Sequence, residues 1–424
     1  MQPLPVPDCP EASALRLAYL VSRYPAVSHT FILREVLALR RLGATVAVAS
    51  VNAPDRPDAR MTDSERAEAD ATYYVKRDGV AGAGRALLHC LRRHPAGCLR
   101  AFARSLTLGR GVRRLYALAY LAEAMMVVRW MDGAGLRHLH VHFATAGASV
   151  GVLARAIAPV GLSLTVHGPD EFDDVEGQHL RTKVRTADLV VCISQFARSQ
   201  LMRLSDPAQW RKLQVCRLGV ALHADAGAPA RGTATRLLCV GRLTAAKGQH
   251  VLLEACARVR AQGRDIHLTL VGQGGDEASL REHARRLGLD GCVRFAGALN
   301  ETEVRAAFAA ADAFVLPSLA EGIPVVLMEA MSAGVPCISC PVNGIPELIE
   351  DGTNGLLAAP GDVDALAACI GALLDDPDAR RRFAAAGRQR LVDAFDLERN
   401  VARLASLFAT LPQARGASAS KGEQ

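Results

Sequence analysis

From residue 236 onward the chain repeats one pattern: a short apolar run, a stretch with helical periodicity, then another apolar run. The runs fall at 236–240, 266–271, 292–296, 312–316 and 335–339, and helices are expected over 247–261, 276–287 and 301–310. Runs this short, apolar on both faces, read as parallel strands buried between helices. Alternation of that kind leads to α/β architecture, a doubly wound parallel sheet with helices on both sides.

The first half starts the same way. Leu15–Val21 reads as a strand, 22–29 as a loop, Thr30–Leu42 as a helix stopped by Gly43, and Thr45–Val51 as a second strand. Two or three helices cover 79–131. Strands follow at 137–143, 162–166, 188–193 and 212–218, with Ser194 placed to cap the next helix. At 424 residues the chain is long enough for two cores. The expected division is a lead-in at 1–14, a Rossmann-like domain at 15–220, a linker at 221–235 and a second Rossmann-like domain at 236–395. A last amphipathic helix at 396–411 and a polar tail at 412–424 complete it.

The formal charge of +7 suits anionic ligands or anionic lipid. The eleven cysteines are an odd number with no repeating frame, which reads as reduced thiols in the cytoplasm. Cys337 and Cys340 make a lone CxxC with no second pair to complete a zinc site. Residues 1–14 lack the basic start and apolar centre of a signal peptide. The apolar stretch Ala117–Val128 contains Glu123 and is too short to span a bilayer, so membrane contact is expected to be peripheral. Between Asp78 and Glu123 there is no acid, yet there are eight arginines: 85, 92, 93, 100, 104, 110, 113 and 114. They alternate with Leu, Phe, Val and Tyr, which reads as a solvated basic face or a surface for membrane or anionic ligand. Nucleic acid is disfavoured, because no aromatic stacking platform accompanies the arginines.

Three stretches carry chemistry. Gly241–Gly248 follows the strand at 236–240 and holds Arg242 and Lys247, a forked donor and a point charge suited to a diphosphate. Gly272 and Gly274 end another strand and permit close backbone approach. Pro317–Gly334 reads as a turn followed by a helix opened by Gly322 and Pro324. Glu321 lies on the turn and Glu329 in the helix. Counted as helix the two carboxylates are about 12 Å apart, too far for a glycosidase pair and suited to two parts of one extended ligand. The N–H groups of Gly322 and Ile323 would meet its negative portion. In the first half, His138, His140 and His142 share one face of a strand; no carboxylate or cysteine follows at ligand spacing, so they are read as lining a polar interior.

Gly241-Arg242…Lys247-Gly248, Gly272-Gln273-Gly274 and Glu321 with Glu329 resemble, in order and spacing, the family 4 retaining glycosyltransferases of the GT-B fold. Tyr24-Pro25…Ser28-His29-Thr30-Phe31, His138–Phe143 and His167-Gly168 resemble the exopolysaccharide, colanic-acid subgroup, which usually has Glu where this chain has His29. The resemblance implies two Rossmann-like domains facing a central cleft, with the last helix crossing back to the N-terminal domain. It implies transfer of a sugar from a nucleotide-diphosphate sugar to a saccharide or lipid-linked saccharide, with no cofactor and no metal. Arg242, Lys247, Gly322 and Ile323 would hold the diphosphate and Glu329 the ribose. Glu321 and His167 would face the donor sugar as the catalytic pair, Gly272 and Gly274 would form the donor loop, and Ser28, His29 and His142 would lie on the acceptor side. The implied location is cytoplasmic, peripheral on the inner face of the plasma membrane. Two other classes fit fewer of these residues: a GT-B nucleotide-sugar epimerase, which needs no acceptor face, and a non-catalytic nucleotide-sugar sensor, which needs neither Glu321 nor His167.

Overall fold

The computed structural model describes residues 12–108, 113–222 and 235–414. Residues 1–11 of the expected lead-in, Arg110, 223–234 of the expected linker and 415–424 of the expected tail lie outside the described residues. The chain separates into two compact units. Arg217–Leu397 form one; the described residues before and after that span form the other.

The N-terminal unit is a parallel sheet in the order β3-β2-β1-β4-β5-β6-β7. Its strands are β1 Arg16–Arg23, β2 Thr45–Asn52, β3 Tyr73–Tyr74, β4 His138–His142, β5 Gly161–Val166, β6 Leu189–Cys192 and β7 Leu213–Val215. The helices that matter below are α1 Thr30–Arg41, α2 Asp63–Ala71, α3 Gly79–Arg93, α4 Pro95–Thr107, α5 Arg113–Ala134 and α6 Ala146–Ile157. β4 and β5 are buried along their whole length, as strands sandwiched between helices must be. The Ser194 hydroxyl caps the helix Gln195–Leu204 by accepting from Ala197 N.

The other unit repeats the architecture in the order β10-β9-β8-β11-β12-β13. These strands are β8 Arg236–Val240, β9 His267–Val271, β10 Val293–Gly297, β11 Ala313–Leu316, β12 Cys337–Ser339 and β13 Leu356–Leu357. In both sheets the first strand of the unit lies in the middle and the chain winds outward from it in both directions. The order therefore reverses between β1 and β4 and between β8 and β11, where loops diverge and leave room for a ligand.

The last helix, Leu397–Ala409, belongs from Glu398 onward to the N-terminal unit. Phe408 packs edge-on against the Tyr19–His140 pair, its ring centroid 4.9 Å from that of His140 and 6.4 Å from that of Tyr19. The Cys216 thiol donates to Asn400 O at 3.3 Å. The ten described cysteines form no disulfide, Cys337 and Cys340 included.

Two sequence expectations need correction. Pro324 is the N-cap of its helix, and the helix is Val325–Ser332; Gly322 and Ile323 stay in the loop. Pro324 adopts extended backbone, so the first turn opens one residue later. The 12 Å helical rise between Glu321 and Glu329 therefore does not apply. α2 went unread although Thr62 and Glu65 form a capping box at its start.

Candidate active site

In the Arg217–Leu397 unit the loops after β8 and β11 meet at the point where the strand order reverses. Leu319 N donates to Ala246 O at 2.8 Å. Gly248 has φ 66°, and a β-carbon there would lie 2.1 Å from Pro317 O, so a side chain would drive the two loops apart. That contact places Lys247 against Glu321. Lys247 Nζ donates to Glu321 Oε1, and the Ser318 hydroxyl donates to the same oxygen at 2.8 Å. Two residues expected to hold separate parts of a ligand thus form one largely buried ion pair.

Arg242 is exposed, and its carbonyl is anchored by Gln249 Nε2 at 2.8 Å. Glu329 sits half-buried in the helix that Pro324 caps. The loop residues Gly322 and Ile323 immediately precede that cap, where N–H groups are not yet committed to the helix ladder. Gly272 and Gly274 also make close approaches, but to this chain's own loop. A β-carbon at Gly272 would lie 2.0 Å from Gly241 O, and one at Gly274 would lie 2.1 Å from Leu243 O. Their small size packs the 241–243 segment that carries Arg242.

In the N-terminal unit a second cluster gathers at the ends of β1, β4 and β5. His142 Nδ1 lies 3.0 Å from His167 Nε2. The Phe143 ring is 4.3 Å from His167 and 4.9 Å from His29. The structure therefore brings His29, His142 and His167 together; of Ser28 it establishes only a place in the turn Val27–His29. Burial pushes the His167 imidazole well below its usual range, with His142 and His29 adding to the effect, so the ring is neutral. Its Nδ1 has no hydrogen-bond partner among the described residues.

Three residues that sequence reasoning missed hold this cluster. Glu35, on the buried face of α1, accepts from the Tyr19 hydroxyl at 2.8 Å and lies 3.2 Å from His142 Nε2, off the hydrogen-bond line. Glu171 accepts from the amides of Ala144, His167 and Gly168. Lys183 donates to Ala144 O at 2.8 Å and Thr145 O at 2.7 Å. Burial raises the Glu171 carboxyl to about 7 and lowers the Lys183 ammonium to about 7. A readable signal existed for Glu35: an acid inside the apolar stripe Ile32, Leu33, Val36, Leu39.

The strand histidines do line a polar interior. Ser163 Oγ lies 2.8 Å from both His138 Nε2 and His140 Nδ1, and Thr165 Oγ1 lies 3.0 Å from His140 Nε2. A carboxylate is nevertheless within reach, from α1 rather than from the strand. Ligand atoms of Glu35, His140 and His142 lie within 4.8 Å of one another, the one such group among the described residues. Both His140 nitrogens are engaged by hydroxyls, and a cation would have to displace one of them.

The family described as Glycosyl transferases group 1 matches residues 225–390. The amylovoran biosynthesis glycosyltransferase AmsK of Erwinia amylovora is 31% identical over 383 residues, spanning 84% of this chain and 90% of that protein. A GDP-mannose-dependent alpha-(1-6)-phosphatidylinositol monomannoside mannosyltransferase of Mycolicibacterium smegmatis is 30% identical over 290 residues, 64% of this chain and 75% of that one. Among solved structures, Anabaena Alr3699/HepE in complex with UDP-glucose superposes with a TM-score of 0.70 at 20% identity. That match covers 94% of this chain and all of that one.

Proposed function

This chain belongs to the group 1 glycosyltransferases, with the GT-B fold, and on that footing we propose that it moves a sugar, with retention, from a nucleotide-diphosphate sugar to a saccharide or lipid-linked saccharide. The observation that carries the reading is the Lys247–Glu321 contact at the strand-order reversal of the C-terminal sheet. A cation for phosphate and a carboxylate for sugar hydroxyls are held side by side, where diphosphate and sugar are neighbours in the donor.

In the proposed chemistry the bond from the sugar carbon to the diphosphate breaks and a bond to the acceptor hydroxyl forms. The acceptor's proton leaves with the diphosphate. Arg242, Lys247 and the N–H groups of Gly322 and Ile323 would take up the charge that develops on the leaving group, the work a metal does in other enzymes. Glu321 would hold the sugar hydroxyls and Glu329 the ribose. His167, neutral and with a buried Nδ1 that has no partner among the described residues, would accept a hydrogen bond from a donor hydroxyl that reaches it. No cofactor or metal is assigned, and Glu35, His140 and His142 are read as a structural network. HepE's complex with UDP-glucose and the AmsK role in amylovoran synthesis support a nucleotide-sugar donor and a surface-polysaccharide product. The proposed location is the cytoplasmic face of the membrane, held peripherally. An epimerase or a sensor leaves the acceptor unused.

The test is a thermal-shift panel of nucleotide sugars followed by transfer from the stabilising donor to membrane extract. Labelled sugar in a glycan or glycolipid is expected. Donor epimerised without any transfer would replace this reading with the isomerase.

A further inference from the structure

α3 and α4 are built inside out. The residues that face the domain are small: Gly82, Ala86 and Cys90 on α3, and Gly97, Cys98, Ala101 and Ser105 on α4. A β-carbon at Gly97 would lie 1.7 Å from Ile157 O, so α4 is pressed onto α6 by its small face and cannot roll. The large apolar residues point to solvent instead. On α3 these are Val80, Leu87, Leu88 and Leu91, and on α4 Leu99, Phe102 and Leu106, each set on one side of its helix. Leu115, Tyr116 and Leu118 extend the exposed apolar surface onto α5. Among the described residues, ten of the twelve exposed large hydrophobics lie within 80–118, which is a patch rather than scatter.

The charge beside the patch is mainly positive. Arg92 and Arg100 are exposed; Arg85 pairs with Asp78 at 2.5 Å and Arg93 lies 3.6 Å from Asp132, while Arg104 is half-buried with its guanidinium donating to Thr186 Oγ1 at 2.7 Å. By helical spacing, Arg92 on α3 and Arg100 and Arg104 on α4 flank the leucine stripes. An open pocket of about 360 Å³ lies at the α3–α4 corner, and Arg93, His94, Arg100 and Arg155 are among its lining residues. No helix among the described residues is long and apolar enough to cross a membrane. Two helices with leucines outward and arginines at their flanks suit a surface that is apolar below and anionic above.

We propose that α3, α4 and the exposed start of α5 are the surface by which this enzyme lies on an anionic phospholipid bilayer. The leucines and Phe102 enter the acyl boundary, and Arg92 and Arg100 meet lipid phosphates. This deepens the reading of a lipid-linked acceptor and serves it. The binding itself needs neither donor nor acceptor, so it is measured apart from the reaction.

The experiment is flotation of the full chain with phosphatidylcholine vesicles, with and without phosphatidylglycerol. Wild type is expected to bind the anionic vesicles at least about tenfold better and to be released at high salt. Two variants divide the surface: Arg92→Gln with Arg100→Gln, and Leu99→Gln with Phe102→Gln and Leu106→Gln. All five side chains are exposed, so both variants should melt like wild type, and each should lose most of the binding. The proposal is overturned if wild type ignores anionic vesicles, or if folded variants bind them undiminished. Self-association of wild type that the leucine variant abolishes, without vesicle binding, would assign the patch to a protein interface instead. Loss of sugar transfer with vesicle binding intact would count against the proposed reaction and leave this surface standing.

Discussion

His142 Nδ1 and His167 Nε2 share one hydrogen bond at 3.0 Å, so one ring must donate and the other accept. Glu35, 3.2 Å from the other nitrogen of His142, favours a proton on that nitrogen and leaves Nδ1 as the acceptor. His167 then donates through Nε2, and its Nδ1 carries a lone pair with no partner. Nitrogen-15 NMR of histidine-labelled protein should find His167 protonated at Nε2 alone. Protonation at Nδ1 in wild type would refute the assignment of His167 as an acceptor.

Activity should follow the same chain. Removing one buried hydrogen-bonding partner costs about 1–3 kcal/mol, so His167→Ala should lower kcat/KM by roughly tenfold to a hundredfold with donor diphosphate binding preserved. Unaltered kcat/KM would detach His167 from the sugar.

The buried histidines also set a pH dependence. Burial lowers His138 to about 4 and pushes His140 and His167 well below their ordinary range. Unfolded, each takes a proton near pH 6.5; folded, each resists it. The unfolded state therefore binds more protons below that pH, and stability falls as pH drops from about 6.5 toward 4. For His138 the loss at pH 5 is about 2 kcal/mol, and His140 and His167 act in the same direction. Glu171, raised to about 7, opposes one histidine by holding a proton in the folded state over the same range. Three histidines against one carboxyl should still lower the urea midpoint between pH 7 and pH 5, and a higher midpoint at pH 5 would overturn this dependence.

Much of the fold was legible because its signals are local. β8 was read with its structural bounds at 236–240, and so was the helix Glu301–Ala310, whose Asn300–Glu303 capping box marks its start. Ser194 announced its own cap. That Arg242, Lys247 and Glu321 lie on loops after the strands of one sheet was legible from the strand–loop–helix pattern. That Lys247 contacts Glu321 was not, because it depends on Gly248 closing onto Pro317, 69 residues away in sequence. Lys183 went unread for the same reason, since the Ala144 and Thr145 carbonyls it meets are 39 and 38 residues away in sequence. Glu35 and Glu171 left local signals, an acid inside an apolar stripe and an acid just after the His167 and Gly168 amides, but their distant partners Tyr19 and Ala144 are brought to them only by folding. The apolar face of α3 and α4 was half visible. Sequence showed leucines among arginines, but only packing reveals that the glycines and alanines face inward.

Metal independence is the next expectation. Arg242, Lys247 and the loop amides offer positive charge without an ion, and His140 has both nitrogens engaged. Transfer should survive chelation by EDTA. Loss of transfer that Mg²⁺ or Mn²⁺ restores would overturn it and direct attention to Glu35, His140 and His142.

The ion pair between Lys247 and Glu321 makes the final prediction. Without donor, each largely buried side chain is the other's counter-ion. When a diphosphate arrives, Lys247 can turn to it, and Glu321 is released to the sugar hydroxyls that come with it. The two residues should therefore be coupled. Lys247→Ala should weaken donor binding roughly tenfold or more, since a charge-assisted contact contributes about 1.5–3 kcal/mol, and Arg242→Ala should do the same. Glu321→Gln should act mainly on kcat, because its contact strengthens as the sugar departs, whereas Glu329→Gln should act mainly on KM through the ribose. The double variant Lys247→Ala with Glu321→Gln should lose less than the sum of the single losses, because each single change leaves a charge without its partner. Calorimetry with the donor found by thermal shift gives the binding energies, and steady-state kinetics gives the rates. Strict additivity of the two changes would mean that Lys247 and Glu321 serve the donor independently, and that their contact in the ligand-free chain has no part in binding it.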